Sequence, residues 1–331
     1  FDKRANELMA VGVGLGFARD RTDVGTDGSN SRAKGYSVVA YGTYQPVSSL
    51  FVDALLGVGS LDFTSKRYVN PIDAFAQADR KGRQIFGSVA AGFESRTNGV
   101  LMSPYGRIDY ASNRLNQASE TGAGNYGLTY FSQTTPSLQG ALGFRAESIH
   151  ATEFGAAAPR LRAEYIREFQ GSRDASVAYA DIADTRYGLR ASRYARNALV
   201  LGVGSDFQFR SGLTLGVDYQ VNHTFNRDTS QGLRLTLTQP LDGRRNSLNL
   251  NYLPIQWSKA VDVLVDAGFM YDTNVSRGKD EDDIRKDRVY SVNASKGFVF
   301  QIGEREDLRA SVDAQFSGEK FDTYRGLDRA T

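Results

Sequence analysis

The sequence predicts an all-β protein, an antiparallel up-and-down transmembrane β-barrel of about 12 to 16 strands. Three observations carry this. Two neighbouring runs alternate apolar and polar residues almost without error, similar runs recur along the chain, and long polar connections alternate with short ones. In the first run Leu199, Leu201, Val203, Phe207 and Phe209 fall on one side. Val200, Gly202, Gly204, Asp206, Gln208 and Arg210 fall on the other, and Ser205 is the one small polar residue on the apolar side. In the second, Leu213, Leu215, Val217, Tyr219 and Val221 oppose Thr214, Gly216, Asp218, Gln220 and Asn222. Only Ser211 and Gly212 join them, enough for a tight hairpin turn. A period of two puts each set on one face of a strand, and about ten tilted residues cross a bilayer core. One face suits lipid and the other water.

In chain order the strands are expected at Met9–Asp20, Gly35–Tyr44, Leu50–Phe63, Gln84–Glu94, Val100–Tyr110, Asn125–Gln133, Leu138–Glu147, Leu161–Phe169, Ala175–Asp181, Leu199–Arg210, Leu213–Asn222 and Gly232–Gln239. Four more follow at Ser247–Leu253, Val261–Tyr271, Val289–Phe300 and Leu308–Phe316. Each is an apolar or alternating run bounded by turn-forming residues. Pro104 removes a ladder donor inside its strand, a natural place for a bulge.

The connections give orientation. Arg21–Lys34, Thr64–Arg83, Ala111–Gly124, Ser148–Pro159 and Ile182–Asn197 are long and polar. Gln45–Ser49, Ser95–Gly99, Thr134–Ser137, Gln170–Asp174 and Ser211–Gly212 are short. Outer-membrane barrels keep short turns in the periplasm and long loops outside. After Gln239 the phase breaks: it puts short Pro254–Lys259 outside and long, charged Asp272–Asp287 in the periplasm. Either a strand is miscounted or a module with its own register begins near residue 241.

Composition agrees. Gly 34, Tyr 17 and Phe 19 with Pro 7 suit many strands and tight turns, and a net charge of +2 leaves no basic footprint for nucleic acid. Mean hydropathy is -0.41 and no apolar run is long enough for a transmembrane helix, a test that barrels escape because half of each strand is polar. The absence of cysteine excludes disulfides and thiolate metal sites, and suits export through an oxidising periplasm. No signal peptide stands at Phe1, as expected of a mature or excised segment.

At Tyr105-Gly106-Arg107-Ile108-Asp109-Tyr110, at Tyr126-Gly127-Leu128-Thr129-Tyr130, and from Leu199 through Leu235, the sequence resembles the autotransporter β-domain of Gram-negative bacteria. Phe1-Asp2-Lys3-Arg4 followed by Val11-Gly12-Val13-Gly14-Leu15-Gly16-Phe17 is similar to the hairpin ahead of that family's third strand. The resemblance covers roughly residues 1–240, rests on strand order and on aromatic and glycine placement, and includes no catalytic signature. It implies a twelve-stranded barrel in the outer membrane that helps an N-terminal passenger reach the surface, its pore plugged by a helix. Three departures stand out. The chain begins two strands late, Gly232–Gln239 runs on into Pro240-Leu241-Asp242-Gly243, and Asp328-Arg329-Ala330-Thr331 lacks the terminal aromatic offered to insertion machinery. The expectation is a piece of a longer protein or an extended barrel. Residues 1–241 form the autotransporter-like segment, and 242–331 are additional strands, either a barrel extension or the start of a second module.

Inward positions carry charge: Arg107, Asp109, Arg145, Glu147, Arg162, Glu164 and Asp218 are expected to line the lumen. Such charges hydrate a pore and steer a passing chain, or pair across strands and hold the wall. Pairing is the expected role of any individual pair. His150 and His223, near Glu147 and Asp218, form no catalytic spacing, so no catalytic residue is expected. Asp280, Glu281, Asp282 and Asp283 lack the glycine and ligand spacing of a Ca²⁺ loop; neither metal nor cofactor is expected. Phe63, Tyr68, Tyr110, Tyr130, Phe131, Phe169 and Tyr271 suit interfacial girdles.

The function expected is outer-membrane anchoring and passenger export. The expected partners are outer-membrane lipid and lipopolysaccharide, the insertion machinery and a passenger segment of the same protein, with no nucleic acid. A general porin is the alternative. An outer-membrane hydrolase and a soluble β-rich adhesin are weaker ones.

Overall fold

The computed structural model describes residues 2–170, 174–182, 184–190, 196–225, 228–240, 262–273, 285–301, 308–323 and 329–330. Among them lies one large antiparallel sheet of long strands in sequence order. They are β1 (Asp2–Asn6), β2 (Met9–Val24), β3 (Ser29–Val47), β4 (Leu50–Val69), β5 (Ala74–Phe93), β6 (Val100–Leu115), β7 (Gln133–Ser148) and β8 (Gly155–Glu168). The wall continues through β9 (Asn197–Phe209), β10 (Thr214–Thr224), β11 (Asp228–Pro240), β12 (Asp262–Asp272), β13 (Asp287–Gln301) and β14 (Leu308–Phe321). Each pairs antiparallel with the next, and β14 meets β1 through Asp2↔Arg309 and Lys3↔Leu308, bringing the order back to its start. The short strand Arg329–Ala330 lies between β2 and β14 farther along the same seam.

The two faces of this wall differ in the way the alternation requires. Leu199, Leu201 and Val203 of β9 share a face with Tyr165, Ala163 and Leu161 of β8 and with His223, Val221 and Tyr219 of β10. On that outer face Leu15 is 85 % and Leu142 70 % exposed, and Val38, Val58, Val89, Leu235 and Val292 are also exposed. The most buried side chains are small or polar instead: Ala76, Ala158, Glu164 and Asp272. Apolar surface left outside in so continuous a band has no partner in water. It has one in hydrocarbon, where antiparallel pairing also satisfies the backbone. Gly212 turns between β9 and β10 at φ +92, a conformation that glycine adopts at little cost.

Several expected elements take another place. Asn125–Gln133 is not a wall strand: Gly124–Tyr126 is a 3-10 turn, and Leu128–Tyr130 joins a separate four-stranded sheet. Ala175–Asp181 likewise contributes Asp174–Tyr179 to that sheet, which is completed by Ala118–Ser119 and Tyr187–Arg190. A strand off the wall has the same local period as one in it, so periodicity does not separate the two. Thr134–Ser137, expected as a turn, lies inside β7 opposite β6. Ser148–Pro159, expected as a long outer loop, is a narrow hairpin of His150–Thr152 against Gly155–Ala157, at the same end as Ser211-Gly212. At Pro104 the ladder skips without changing register, so no bulge forms.

The ladder also continues past the apparent phase break. β12 pairs along β11 from Ser230↔Asp272 to Pro240↔Asp262, so Asp272 ends its strand on the side of the long connections. Ser247–Leu253, the expected strand that shifted the count, lies outside the described residues.

Candidate functional site

All seven charged positions read from the sequence share one strand face, opposite the apolar band. Register fixes this: Arg107 pairs with Ala141 and Ala90, Arg145 with Ser103 and Arg162, Glu147 with Leu101 and Arg160, Glu164 with Gly143 and Val200, and Asp218 with Gly204 and Arg234. A cavity of about 1460 Å³ runs along this face, bordered by Tyr105, Arg107, Arg145, Arg160, Arg162 and Asp218 among others.

Two clusters organise it, and both depend on a glycine. In the first, Gly143 of β7 stands between Tyr105 of β6 and Glu164 of β8. A Cβ at Gly143 would lie 2.3 Å from the Tyr105 ring, so only a bare backbone lets the tyrosine cross to Glu164. The Tyr105 hydroxyl donates to Glu164, and Arg107 (3.1 Å) and Arg162 (2.9 Å) donate to the same carboxylate, whose side chain is 1 % exposed. Arg107 also pairs with Asp109 at 2.7 Å, and Ser88 Oγ donates to Asp109 at 2.6 Å. The Arg145 guanidinium lies 4.4 Å from the Tyr105 ring centre, a cation–π arrangement.

In the second cluster, Gly204 of β9 stands between Arg160 of β8 and Asp218 of β10. Arg160 grips Asp218 through Nε at 2.8 Å and Nη2 at 2.5 Å, and reaches Asp206 through Nη1 at 2.5 Å. Two parallel bonds from one guanidinium make a geometrically selective, charge-assisted contact. Sequence reasoning missed Arg160 and Asp206 as site residues. The signal was parity, since Arg160 lies two residues before Arg162 and Asp206 lies on the polar side of the first alternating run.

A third cluster lies at the long-connection end, where Arg67 near the end of β4 meets Glu120, Leu128 and Tyr130, which are off the wall. The Glu120 carboxylate accepts from Arg67 Nε at 3.0 Å and Nη2 at 2.6 Å, from the Leu128 N–H at 2.9 Å and from the Tyr130 hydroxyl at 2.9 Å. Burial pushes its pKa up, but these four donors outweigh burial and hold it below the usual carboxylate value. Tyr130 is pushed up to about 12, first by burial and then by the Glu120 charge. Because its folded pKa is raised, the stability Tyr130 contributes is complete below its ordinary pKa of about 10 and fades as pH rises toward 12. Ultraviolet titration of phenolate should show a tyrosine ionising near pH 12 that Tyr130→Phe removes. Loss of an ordinary tyrosine instead would contradict this.

The histidines form no such cluster. His150 Nε2 meets Ser148 Oγ at 3.0 Å, and His223 Nδ1 meets Thr229 Oγ1 at 2.9 Å. His223 pairs with Leu199 on the outer face, while Asp218 faces inward, so no His–Asp dyad forms. No group of three or more His, Cys, Asp or Glu suited to a metal occurs among the described residues, and Asp280–Asp283 lies outside them. Of the expected girdle aromatics, Tyr110 and Tyr271 lie on the outer face. Phe63 faces inward beside Arg80, and Tyr130 and Phe131 belong to the connection after β6.

The model of the autotransporter β-domain family matches residues 1–220. Among solved structures, the translocator domain of autotransporter NalP from Neisseria meningitidis is similar at 16 % identity, covering 67 % of this chain and 72 % of that one, with a TM-score of 0.49. The β-domain of the Bordetella autotransporter BrkA is similar at 10 % identity over 96 % of each chain, TM-score 0.39. The outer-membrane protein OprD from Pseudomonas aeruginosa is similar at 10 % identity over 98 % of this chain and 90 % of that one, TM-score 0.39. No curated protein sequence matches the chain.

Proposed function

Because this chain belongs to the autotransporter β-domain family, we propose that its charged inner wall is the hydrated surface along which a passenger segment moves. The protein is an outer-membrane β-barrel that anchors in the bacterial outer membrane and helps export a passenger to the cell surface. The observation that carries the finer reading is the contrast between faces: an exposed apolar band outside, and Arg107, Asp109, Arg162, Glu164, Arg160 and Asp218 paired on the inner face, which borders a cavity of about 1460 Å³. Each of these six charges has a partner among the inner-wall side chains, so this part of the wall offers hydration while muting the field that would trap a chain of either sign.

Lipopolysaccharide against the outer band and the outer-membrane insertion machinery are proposed as further partners. No catalytic step is proposed, since moving a chain along this wall makes and breaks no covalent bond. We also propose that the strands after residue 241 extend the same wall. The pairing of β12 with β11, and of β13 and β14 beyond it, supports this.

Export is the test. Surface display of a reporter passenger fused ahead of the full barrel should fall when Gly204→Arg places a cation against Arg160 and Asp218 in the lumen. It should persist in Val203→Leu on the outer face, with both barrels folded by heat-modifiable gel mobility. Undiminished display in folded Gly204→Arg would contradict the inner-wall route.

A further inference from the structure

The connections after β6 and β8 fold together into the small sheet, in the order Tyr187–Arg190, Asp174–Tyr179, Leu128–Tyr130, Ala118–Ser119. Where this sheet docks is decided by register. The β4–β5 ladder runs from Leu50↔Phe93 to Val69↔Ala74 without a register shift. Arg67, Val69, Ala76 and Arg80 therefore share the face of Asp53 and Ser88, which line the cavity. The small sheet is fastened to that same face. Glu120 is forked by Arg67, which also donates to the Tyr126 carbonyl at 2.9 Å, and Arg80 donates to the carbonyls of Asn116 (2.7 Å) and Phe131 (2.6 Å). Val69, Ala76 and Ala123 form an apolar cluster beneath it, and Gln77 and Thr121 exchange two backbone hydrogen bonds at 2.9 and 2.8 Å.

A segment that leaves the wall at β6 and β8 and is held on the inner face of β4 and β5 reaches inward from the wall at the long-connection end. A buried ion pair and a small apolar core fix this segment in place. We propose that this small sheet is a lid fixed over the long-connection mouth of the barrel, latched by Glu120 on Arg67, which restricts passage of ions and small solutes. The function is distinct from export along the wall, but rests on the reading that the strands enclose a membrane-spanning pore. Opening requires that the Glu120 fork, the Arg67 and Arg80 bonds to the Tyr126, Asn116 and Phe131 carbonyls, the Val69–Ala76–Ala123 cluster and the Gln77–Thr121 bridge part, while the lid's internal pairing, separate from the wall's, stays intact.

Single-channel recording of the purified chain in planar lipid bilayers tests this, with folding checked by heat-modifiable gel mobility. The wild type should conduct weakly, and Glu120→Gln and Arg67→Gln should conduct about threefold more or better, because a hydrated, charge-lined pore conducts once unobstructed. The chain has no cysteine, so Gln77→Cys with Thr121→Cys introduces the only pair, at a hydrogen-bonded antiparallel position whose Cα separation of about 5.5 Å admits a disulfide. Added to Glu120→Gln, the oxidised pair should restore weak conductance, and reduction should release it. Equal conductance in the wild type, both latch variants and the reduced lock would overturn the lid while leaving the barrel intact. Absence of any folded band and of any current would overturn the membrane-spanning reading on which the lid rests.

Discussion

Replacing Glu164 with leucine destabilises the folded barrel by about 3 kcal/mol or more, the cost of breaking a buried ion pair from one side. Its carboxylate is 1 % exposed and is shared by Arg107, Arg162 and the Tyr105 hydroxyl. Without it, Arg107 keeps only Asp109 and Arg162 loses its counter-charge. Both are partly exposed to the cavity, at 29 % and 45 %, so lumen water recovers some hydration and keeps the loss near the lower end of the 3–5 kcal/mol range. Removing one cation as well, in Glu164→Leu with Arg162→Leu, should return part of that loss. The midpoint of urea unfolding, read as disappearance of the fast-migrating folded band, measures it. A single variant within about 0.5 kcal/mol of wild type, the range typical of an inert surface change, would mean that the cluster does not hold the wall.

The second large effect comes from placing charge on either side of one strand at one depth. Leu201→Arg puts a guanidinium on the apolar face beside Ala163 and Val221. Val200→Arg, one residue away, puts it on the inner face opposite Glu164 and Asn222. A lipid-facing arginine near the membrane midplane costs about 2–4 kcal/mol, whereas a lumen position is hydrated and costs little. The outward variant should therefore fold poorly into lipid vesicles while the inward one folds nearly as well as wild type. Equal losses in the two would sink the assignment of faces.

Much of this was legible in the sequence where the decisive information is local. The hairpin from Leu199 to Asn222 states its own faces, because each residue is flanked by neighbours of opposite character. The same parity placed Arg107, Arg162 and Glu164 together on one face. The contacts that matter most lie beyond that reach. That Arg160 meets Asp218 depends on Gly204 being opposite both, a consequence of register across three strands. Tyr105 and Glu164, 59 residues apart, meet for the same reason over Gly143. In the sequence the small sheet reads as wall because Leu128–Tyr130 alternates like any strand. Its docking on Arg67 is set by a buried carboxylate 53 residues away.

The central claim is that one strand face meets lipid and the other a water-filled lumen. Single cysteines introduced from Leu199 to Gln208 in this cysteine-free chain, spin-labelled and reconstituted in bilayers, measure it residue by residue. Labels at Leu199, Leu201 and Val203 should relax with membrane-dissolved oxygen, and those at Val200, Gly202 and Asp206 with a water-soluble nickel chelate, the two profiles alternating out of phase with a period of two. Profiles without that alternation, or with every position open to the aqueous chelate, would contradict a membrane-spanning barrel.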